Sequence, residues 1–324
     1  MAKQVLKDIF QIEIPLPNNP LRVLNSYFIR GGRRNLLIDT GFYLDVCWIA
    51  MNQALKELDS NMNDTDLLIT HAHSDHFGLM QCLSTLDNTV WIGKTDAKLL
   101  ENLFANLQSR SANHLHNSGL LDMGVPNTPE EEAITKYAGK GMVDLTLLND
   151  GDLLEVGDYR FKCVETPGHT PGHMCLYEQD KKILISGDHI LDKITPNIGL
   201  WEVSRDALGE YLTSLDKTAA LDVKIVLPGH RTLINDMYGR IEELKQHHRQ
   251  RLQNVLDIVG AEEITAGQTA SQMKWDLSYR QWEAFPFNQK MHAAGEAMSH
   301  LYHLYMQGKL NMVRENGVYH FSKP

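Results

Sequence analysis

The chain has 324 residues, of which 43% are hydrophobic and 22% are charged, and its formal net charge is −10. This length predicts one large domain and one small one, because single domains usually hold about 100 to 200 residues. The negative charge argues against general nucleic-acid binding, which depends on Lys and Arg side chains that neutralise phosphates. No segment approaches the roughly 18 consecutive apolar residues of a membrane span, and the N-terminus lacks the apolar run of a secretory signal. We therefore expect a cytoplasmic protein with no membrane association.

The four cysteines are scattered along the chain without a C-x-x-C pair, at Cys47, Cys82, Cys163 and Cys175. This spacing argues against a disulfide framework and against a zinc site built from thiolates. Because free cysteine is usually buried, we expect four buried thiols.

Short apolar runs that end in turn residues recur through the first two thirds of the chain. Several of them are continuously apolar, as is typical of strands that are covered on both faces of a sheet. Helical periodicity appears between these runs at residues 45–58 and 205–218. The alternation predicts an α/β fold in which helices flank the sheets. The predicted strands lie within residues 24–32, 35–41, 66–73, 89–93, 159–168, 174–180, 182–188 and 224–230.

The segment 95–142 interrupts this pattern with helical character. Its first part, "TDAKLLENLFANLQS", has helical periodicity, and Thr128, Pro129 and Glu131 form the signature of a helix start. An insertion of this length exceeds an ordinary connection between strands. It predicts a helical cap over a cleft, and the alternative is an insertion that only packs on the outside of the domain.

The strand pattern stops near residue 237, where three helix-periodic stretches begin. A predicted hairpin follows them, with Asn316 and Gly317 at its turn. Three helices followed by a hairpin is the order of a winged helix. Residues 241–324 contain nine Lys plus Arg and nine Asp plus Glu, so this segment has no positive excess with which to bind DNA. We predict domains at 1–236 and 237–324, and we expect packing or formation of a homodimer from the second.

The decapeptide "ITHAHSDHFG" at residues 69–78 places His71, His73, Asp75 and His76 directly after an apolar run. Imidazole and carboxylate groups are ligands that suit zinc, iron, manganese or cobalt. A loop that leaves a strand can aim four side chains in different directions, which a regular helix cannot do. Four ligands from one loop can therefore serve two metals.

Three later segments have the same construction, an apolar strand that runs into a polar residue beside glycine. They are "ETPGHTPGH" with His169, "LISGDH" with Asp188 and "IVLPGH" with His230. Loops at strand ends gather to build sites on a rigid scaffold. We therefore expect these side chains to converge with the decapeptide.

The ordered motifs HAHSDH, PGHTPGH, SGDH and LPGH, over about residues 20–235, resemble those of the metallo-β-lactamase superfamily. The resemblance implies an αβ/βα four-layer sandwich with a dinuclear metal site at one edge. It also implies two divalent ions, with zinc as the first choice and iron or manganese as alternatives that the same ligands accept. The family's ligand positions fall on His71, His73 and His169 for the first metal, on Asp75, His76 and His230 for the second, and on Asp188 as the bridge.

The resemblance further implies a hydrolase in which a hydroxide that bridges the metals attacks a small ester, thioester or lactone. Asp75 and Asp188 would be the catalytic residues, and Asp39 of "LIDTG" matches the family's acid that orients the ligand loop. Dedicated metallo-β-lactamases lack the bridging acid that Asp188 supplies. Acyl-homoserine lactonases typically carry tyrosine where Leu191 stands. Antibiotic hydrolysis and that type of lactonase therefore fit the pattern less well.

The C-terminal third is similar to the glyoxalase-II-like and LACTB2-like branch of the superfamily. Some members of that branch cleave single-stranded RNA, so a metal-dependent phosphodiesterase or ribonuclease is the alternative function. A winged-helix regulator with a structural metal site is a further alternative. The neutral C-terminal segment and the net charge argue against nucleic acid as a partner, and favour a small-molecule substrate.

Six further histidines are not predicted to bind metal. His173 and His189 lie beside proposed ligands, and for both we predict structural hydrogen bonds. His114 and His116 are expected to face solvent or to contact substrate. The cluster at 247–249 is expected to lie on a solvated or interdomain face.

Overall fold

The computed structural model describes residues 1–105, 109–126, 137–139, 141–200, 203, 205–275 and 281–324. The chain divides into two compact units. The first comprises Met1–Leu107, Glu131–Pro196 and Ser214–Ile241, and the second comprises Gln108–Glu130, Asn197–Thr213 and Glu242–Pro324. The domain bounds at residue 236 and the cap over 95–142 stay predictions. The helix start expected at 128–131 lies outside the described residues.

The first unit contains a seven-stranded sheet in the simple order β1 to β7. Neighbouring strands are antiparallel from β1 to β4 and parallel from β4 to β7. The strands are β1 Ala2–Leu6, β2 Ile9–Pro15, β3 Val23–Ile29, β4 Asn35–Ile38, β5 Thr65–Ile69, β6 Val90–Gly93 and β7 Thr146–Leu148.

A five-stranded sheet in the order β12-β11-β10-β9-β8 completes the first unit. Its strands are antiparallel neighbours except for β11 and β12, which run parallel and end at the same edge. The strands are β8 Leu153–Val156, β9 Tyr159–Glu165, β10 Met174–Glu178, β11 Ile183–Gly187 and β12 Ile225–Pro228.

The helices alternate with these strands and then dominate the C-terminal part of the chain. They are Asp45–Glu57, Ser74–Phe77, Met80–Leu83, Lys94–Ala105, Ser109–Asn117, Ala207–Ala219, Met237–Ile258, Ala266–Gln272 and Phe287–Met306, with a single 3-10 turn at Trp282–Ala284. None of the helices in the described part of the chain is both long and apolar enough to cross a membrane.

Strand β4 shows why the apolar runs are continuous. Leu36 and Ile38 pack between the two sheets, against residues such as Phe161 of β9. Leu37 points to the opposite face of the sheet, where it packs with Met51 of the helix Asp45–Glu57. Because successive side chains of a strand alternate between faces, burial of both faces requires apolar residues at every position. The prediction of a mixed α/β fold with flanked sheets is confirmed.

All eight predicted strands are present. The sequence did not indicate the N-terminal hairpin of β1 and β2 or the short strands β7 and β8. Polar residues such as Lys3, Gln4 and Gln11 break the apolar pattern of the N-terminal hairpin, and Leu147 and Leu153 are exposed. Strands at or near sheet edges give a weaker apolar signal because one face is open to water.

The second unit contains a three-stranded sheet in the order β13-β15-β14. Its strands are β13 Ile264–Thr265, β14 Asn311–Glu315 and β15 Val318–Ser322. Asn316 and Gly317 join β14 to β15 with positive φ angles of 48° and 91°, as a two-residue type I′ turn requires. The three C-terminal helices and the hairpin therefore follow one another in the predicted order.

Three side chains differ from the expected exposure, since His114 and His248 do not face solvent and Cys82 is not buried. His114 is 1% exposed, and its Nε2 lies 3.2 Å from the Met291 carbonyl oxygen. His248 is fully buried because it continues the apolar stripe of Leu244 and Val255 along one helix face. Among the cysteines, Cys82 is exposed, whereas the other three are buried as expected.

The buried histidines of the second unit predict sensitivity to acid. Burial lowers the pKa of His114 to about 4 and that of His300 to about 3. Burial, reinforced by His300, also holds the pKa of His248 well below its ordinary value. As pH falls below about 6.5, the unfolded chain binds protons that the folded unit resists, so the free energy of unfolding decreases. Each such histidine removes about 1.4 kcal/mol per pH unit until its folded pKa is reached.

Hydrogen exchange of the backbone amides in the helix Phe287–Met306 measures this effect. It gives the free energy of opening, which is compared at about pH 7 and about pH 5. We expect a lower value at the lower pH, and we expect His114→Gln to reduce the difference. Equal opening free energies at both pH values would contradict the prediction.

Candidate metal centre

The ligand loop leaves the carboxyl end of β5, a strand that is buried at all its positions. The short helix Ser74–Phe77 follows, and its N-cap residue His73 has an extended backbone with φ −104° and ψ 143°. His71 and His73 therefore precede the helical turn, whereas Asp75 and His76 lie within it. This change of backbone conformation divides four closely spaced side chains into two pairs.

The other predicted ligands come from the ends of three strands of the second sheet. His169 lies in the loop between β9 and β10, Asp188 follows β11, and His230 follows β12. Gly187 has a φ of 47°, and a Cβ atom there would lie 2.7 Å from His173 Nε2. Glycine is therefore required for the turn that delivers Asp188.

The structure brings all seven predicted site residues together in three overlapping groups. Within each group, the candidate ligand atoms lie within 4.8 Å of one another. The groups are His71 with His73 and His169, Asp75 with His76 and His230, and His71 with His76 and Asp188.

Asp188 lies between the first two groups. Its Oδ1 is 3.6 Å from His76 Nε2. Its Oδ2 is 3.7 Å from His169 Nε2 and 3.5 Å from His230 Nε2. One carboxylate thus contacts ligands of both predicted metals, as a bridge requires. Metal binding by these residues stays a prediction.

Several atoms that point into this centre are buried without a hydrogen-bond partner. They are Nε2 of His76, Nε2 of His230 and Oδ1 of Asp188. An unsatisfied buried polar atom costs about 1 to 3 kcal/mol, so such atoms indicate a missing binding partner. Imidazole nitrogens and carboxylate oxygens are ligand atoms that bind zinc, iron and manganese. The residues present therefore fit a pair of divalent cations.

Hydrogen bonds on the far side of the rings fix their orientation. His76 Nδ1 lies 2.8 Å from Asp39 Oδ2, and His230 Nδ1 lies 2.7 Å from the Val23 carbonyl oxygen. Because these oxygens accept, each Nδ1 keeps its proton and each Nε2 is the nitrogen that would give a lone pair to a cation in the centre. Asp39 Oδ1 also accepts a hydrogen bond from the Thr70 backbone N–H, at 2.8 Å. Asp39 thus orients the ligand loop, as predicted.

The carboxylates make the second group attractive to positive charge. Burial opposes protonation of His76, yet Asp39 and Asp188 raise its pKa well above the ordinary value. Burial would raise the pKa of Asp75, but His76 and His230 lower it to about 2. In the first group, burial and the neighbouring His169 lower the pKa of His73 to about 3. Neutral imidazoles and ionised carboxylates are the forms that bind metal, so a cation that binds His76 would displace the proton on its Nε2.

The companion histidines have the structural role that was predicted. His173 Nε2 accepts a hydrogen bond from the Asp188 backbone N–H at 3.1 Å, and its Nδ1 lies 2.8 Å from Thr166 Oγ1. His189 Nε2 lies 3.2 Å from Thr218 Oγ1. His116, outside this centre, is exposed and lies 2.7 Å from the Asn316 carbonyl oxygen.

Sequence reasoning missed Asp96, a fully buried acid beside the ligand loops. It follows the end of β6, which pairs with β5 in the parallel part of the sheet. The carboxyl ends of neighbouring parallel strands meet at one sheet edge, so a polar residue just after β6 was the available signal.

Replacement of Asp39 by Asn is expected to weaken binding at Asp75, His76 and His230 by about 10-fold to 100-fold. The two bonds use different oxygens of Asp39, and the amide of Asn has only one oxygen, so it cannot accept hydrogen bonds from both the Thr70 N–H and the His76 Nδ1–H in this geometry. Zinc titration against a coloured chelator measures this affinity. Asp158→Asn serves as the control, since Asp158 is an exposed acid. Equal affinities of the Asp39 variant and the wild type would disprove the prediction.

Comparison with known proteins agrees with this geometry. Residues 20–230 match a family model described as the metallo-beta-lactamase superfamily. The lactamase-like protein adaB of Aspergillus niger is 28% identical over 261 residues, which are 79% of this chain and 65% of that protein. The chain therefore spans less than two thirds of that relative's length. The human acyl-coenzyme A thioesterase MBLAC2 is 28% identical over 218 residues, which are 64% of this chain and 72% of that protein.

A solved structure is similar over the whole chain. The metallo-beta-lactamase family protein TTHA1429 from Thermus thermophilus superposes with a TM-score of 0.83 and 26% sequence identity. The match covers 99% of this chain and 100% of that one.

Proposed function

The chain belongs to the metallo-β-lactamase superfamily, and we propose that it is a dinuclear metal-dependent hydrolase of a small thioester, ester or lactone. The observation that carries the proposal is the position of Asp188 between two groups of ligands. Structural zinc sites are closed, four-coordinate and single, whereas paired sites with a shared carboxylate are typical of hydrolytic centres. Zinc is the proposed metal, with iron or manganese as alternatives.

Two divalent ions in this centre would lower the pKa of a shared water towards about 7 and polarise the carbonyl oxygen of the substrate. The chain's own residues hold the geometry. Asp188 would fix the spacing of the two ligand groups, because it faces His169 of the first group and both His76 and His230 of the second.

Asp75 is the proposed proton carrier. Against the effect of burial, His76 and His230 lower its pKa to about 2, so the carboxylate is ionised near neutral pH. It would orient the attacking water, whose proton it would take once bound metal has made that water acidic. Its Oδ2 lies 3.4 Å from His230 Nε2, which places it within the second ligand group. Asp75 would then deliver the proton to the leaving thiolate or alkoxide.

A thioester is the preferred substrate class within this proposal. The human relative that is 28% identical is an acyl-coenzyme A thioesterase. The net charge of −10 and the balanced charges of residues 241–324 disfavour a nucleic-acid substrate. The C-terminal helices and hairpin are proposed to form a winged-helix-like module that serves packing or formation of a homodimer. The proposed location of the protein is the cytoplasm.

Turnover of a substrate panel by the zinc-loaded protein tests the proposal. The panel contains an acyl-coenzyme A thioester, an aryl ester, a lactone, an aryl phosphodiester and single-stranded RNA. We expect the acyl substrates to be cleaved, and a His169→Ala sample prepared in parallel controls for contaminating hydrolases. Cleavage of only the phosphodiester or RNA would favour the ribonuclease alternative. No turnover together with salt-dependent DNA binding would favour the regulator.

A further inference from the structure

A buried carboxylate lies beside the first group of ligands without belonging to it. Asp96 is fully buried in the first turn of the helix Lys94–Ala105. A buried carboxylate is costly unless it is hydrogen-bonded, so its partners indicate why the fold retains it.

Asp96 accepts hydrogen bonds from both loops that supply the first ligand group. Its Oδ2 accepts from the Ala72 backbone N–H at 2.8 Å, and Ala72 lies between His71 and His73. The same oxygen accepts from Thr170 Oγ1 at 2.6 Å, and Thr170 directly follows His169.

The other oxygen of Asp96 binds the second loop again. Asp96 Oδ1 accepts from the Gly172 backbone N–H at 2.6 Å. A Cβ atom on Gly172 would lie 2.4 Å from the Asp96 backbone nitrogen, so only glycine lets this loop lie against the start of the helix. A Cβ atom on Gly93 would lie 2.4 Å from the Gly172 carbonyl oxygen. The loop is therefore held closely on two sides.

The two loops need such a connection because they come from different sheets. Ala72 follows β5 of the seven-stranded sheet, whereas Thr170 and Gly172 lie between β9 and β10 of the five-stranded sheet. One main-chain hydrogen bond, from Met174 N–H to the Thr70 carbonyl oxygen at 2.9 Å, also joins them. In the second loop the Asp96 bonds are nearer to the ligand, since Thr170 directly follows His169 whereas Met174 is five positions away. Bonds to an ionised acceptor are also about twice as strong as neutral ones.

Asp39 and Asp96 support the centre at different places. Asp39 bonds directly to the ring of His76, a ligand of the second group, and it reaches the first group only through Thr70, which precedes His71. All three hydrogen-bond donors described above for Asp96 flank ligands of the first group. We propose that Asp96 is a positioning residue that holds the His71–His73 segment against His169 and thereby sets the affinity of the first metal. This inference rests on the proposed metal centre.

The test separates the two metals by using single-site backgrounds. His230→Ala retains the first group of ligands, and His169→Ala retains the second. Zinc affinity is measured in each background by competition with a coloured chelator, with and without Asp96→Asn. We expect Asp96→Asn to weaken the first site by about 10-fold to 100-fold, as loss of a supporting hydrogen bond does in metal sites. In the His169→Ala background, we expect a change of no more than about twofold.

Two further variants guard against a general loss of structure. Thr170→Val removes one of the three donors, and we expect a smaller loss of affinity that is again confined to the first site. Asp45→Asn is the matched control, since Asp45 is an exposed acid in the first turn of another helix. The melting temperature of each metal-free variant shows whether it folds. If Asp96→Asn does not fold, the zinc affinity of Thr170→Val decides the question.

The possible outcomes are distinct. Suppose that the wild-type protein binds two zinc ions but that Asp96→Asn or Thr170→Val leaves the zinc affinity of the first ligand group unchanged. That result would overturn this inference and leave the proposed function intact. Equal weakening of both sites would also overturn it, because that is the result of a general structural role. Wild-type protein that binds no zinc would overturn the proposed function and this inference with it.

Discussion

Replacement of Asp188 by Asn is expected to lower kcat/KM by at least about 10³-fold while the fold persists. Asn keeps the volume of the side chain but removes the negative charge and one acceptor oxygen. Both oxygens of Asp188 face imidazole nitrogens of the proposed ligands, at 3.5 to 3.7 Å. The charge also matters to its neighbours, because Asp188 raises the pKa values of His76 and His230.

Steady-state kinetics with the preferred acyl substrate, together with the zinc content and the melting temperature, measure this effect. Asp180→Asn is the control, since Asp180 is an exposed acid in the turn between β10 and β11. If the Asp188 variant binds two zinc ions and retains most of its activity, the bridging role is wrong.

Removal of metal is expected to abolish hydrolysis and to lower the melting temperature of the first unit. His76 Nε2, His230 Nε2 and Asp188 Oδ1 are buried without hydrogen-bond partners, so a cation that binds them would stabilise the folded chain over the unfolded one. Metal at 100 to 1,000 times its Kd stabilises by about 3 to 4 kcal/mol. For a unit of this size, that corresponds to a melting temperature about 5 to 15 °C higher.

Calorimetry before and after dialysis against a chelator measures the shift, and added zinc should restore both stability and activity. The Asp188→Asn variant should show a smaller shift than the wild type. A chelated protein that keeps its activity would refute a metal-dependent mechanism.

The sequence indicated the candidate ligands because their signal is local. The decapeptide at 69–78 concentrates four of them, and His169, Asp188 and His230 each follow an apolar run beside glycine. Such strand ends can be read from short stretches of sequence, and the order of the motifs adds the resemblance to a family. The fold class follows from the same runs, since burial on both faces makes a strand continuously apolar.

The supporting residues could not be predicted in the same way. Asp96 meets Thr170 and Gly172 across separations of 74 and 76 positions, and no periodicity links residues so far apart. His248 has a different reason. A histidine in an apolar stripe fits a buried site or a polar face equally well, and only the packing around it in the second unit decides between them.

The most direct test of the proposed metal centre is anomalous X-ray diffraction from crystals of the zinc-loaded protein. We expect two peaks about 3.5 to 4 Å apart, with Asp188 between them. One peak should lie among His71, His73 and His169, and the other among Asp75, His76 and His230. A single peak, peaks elsewhere in the chain or no peak would contradict the dinuclear centre on which the proposed function depends.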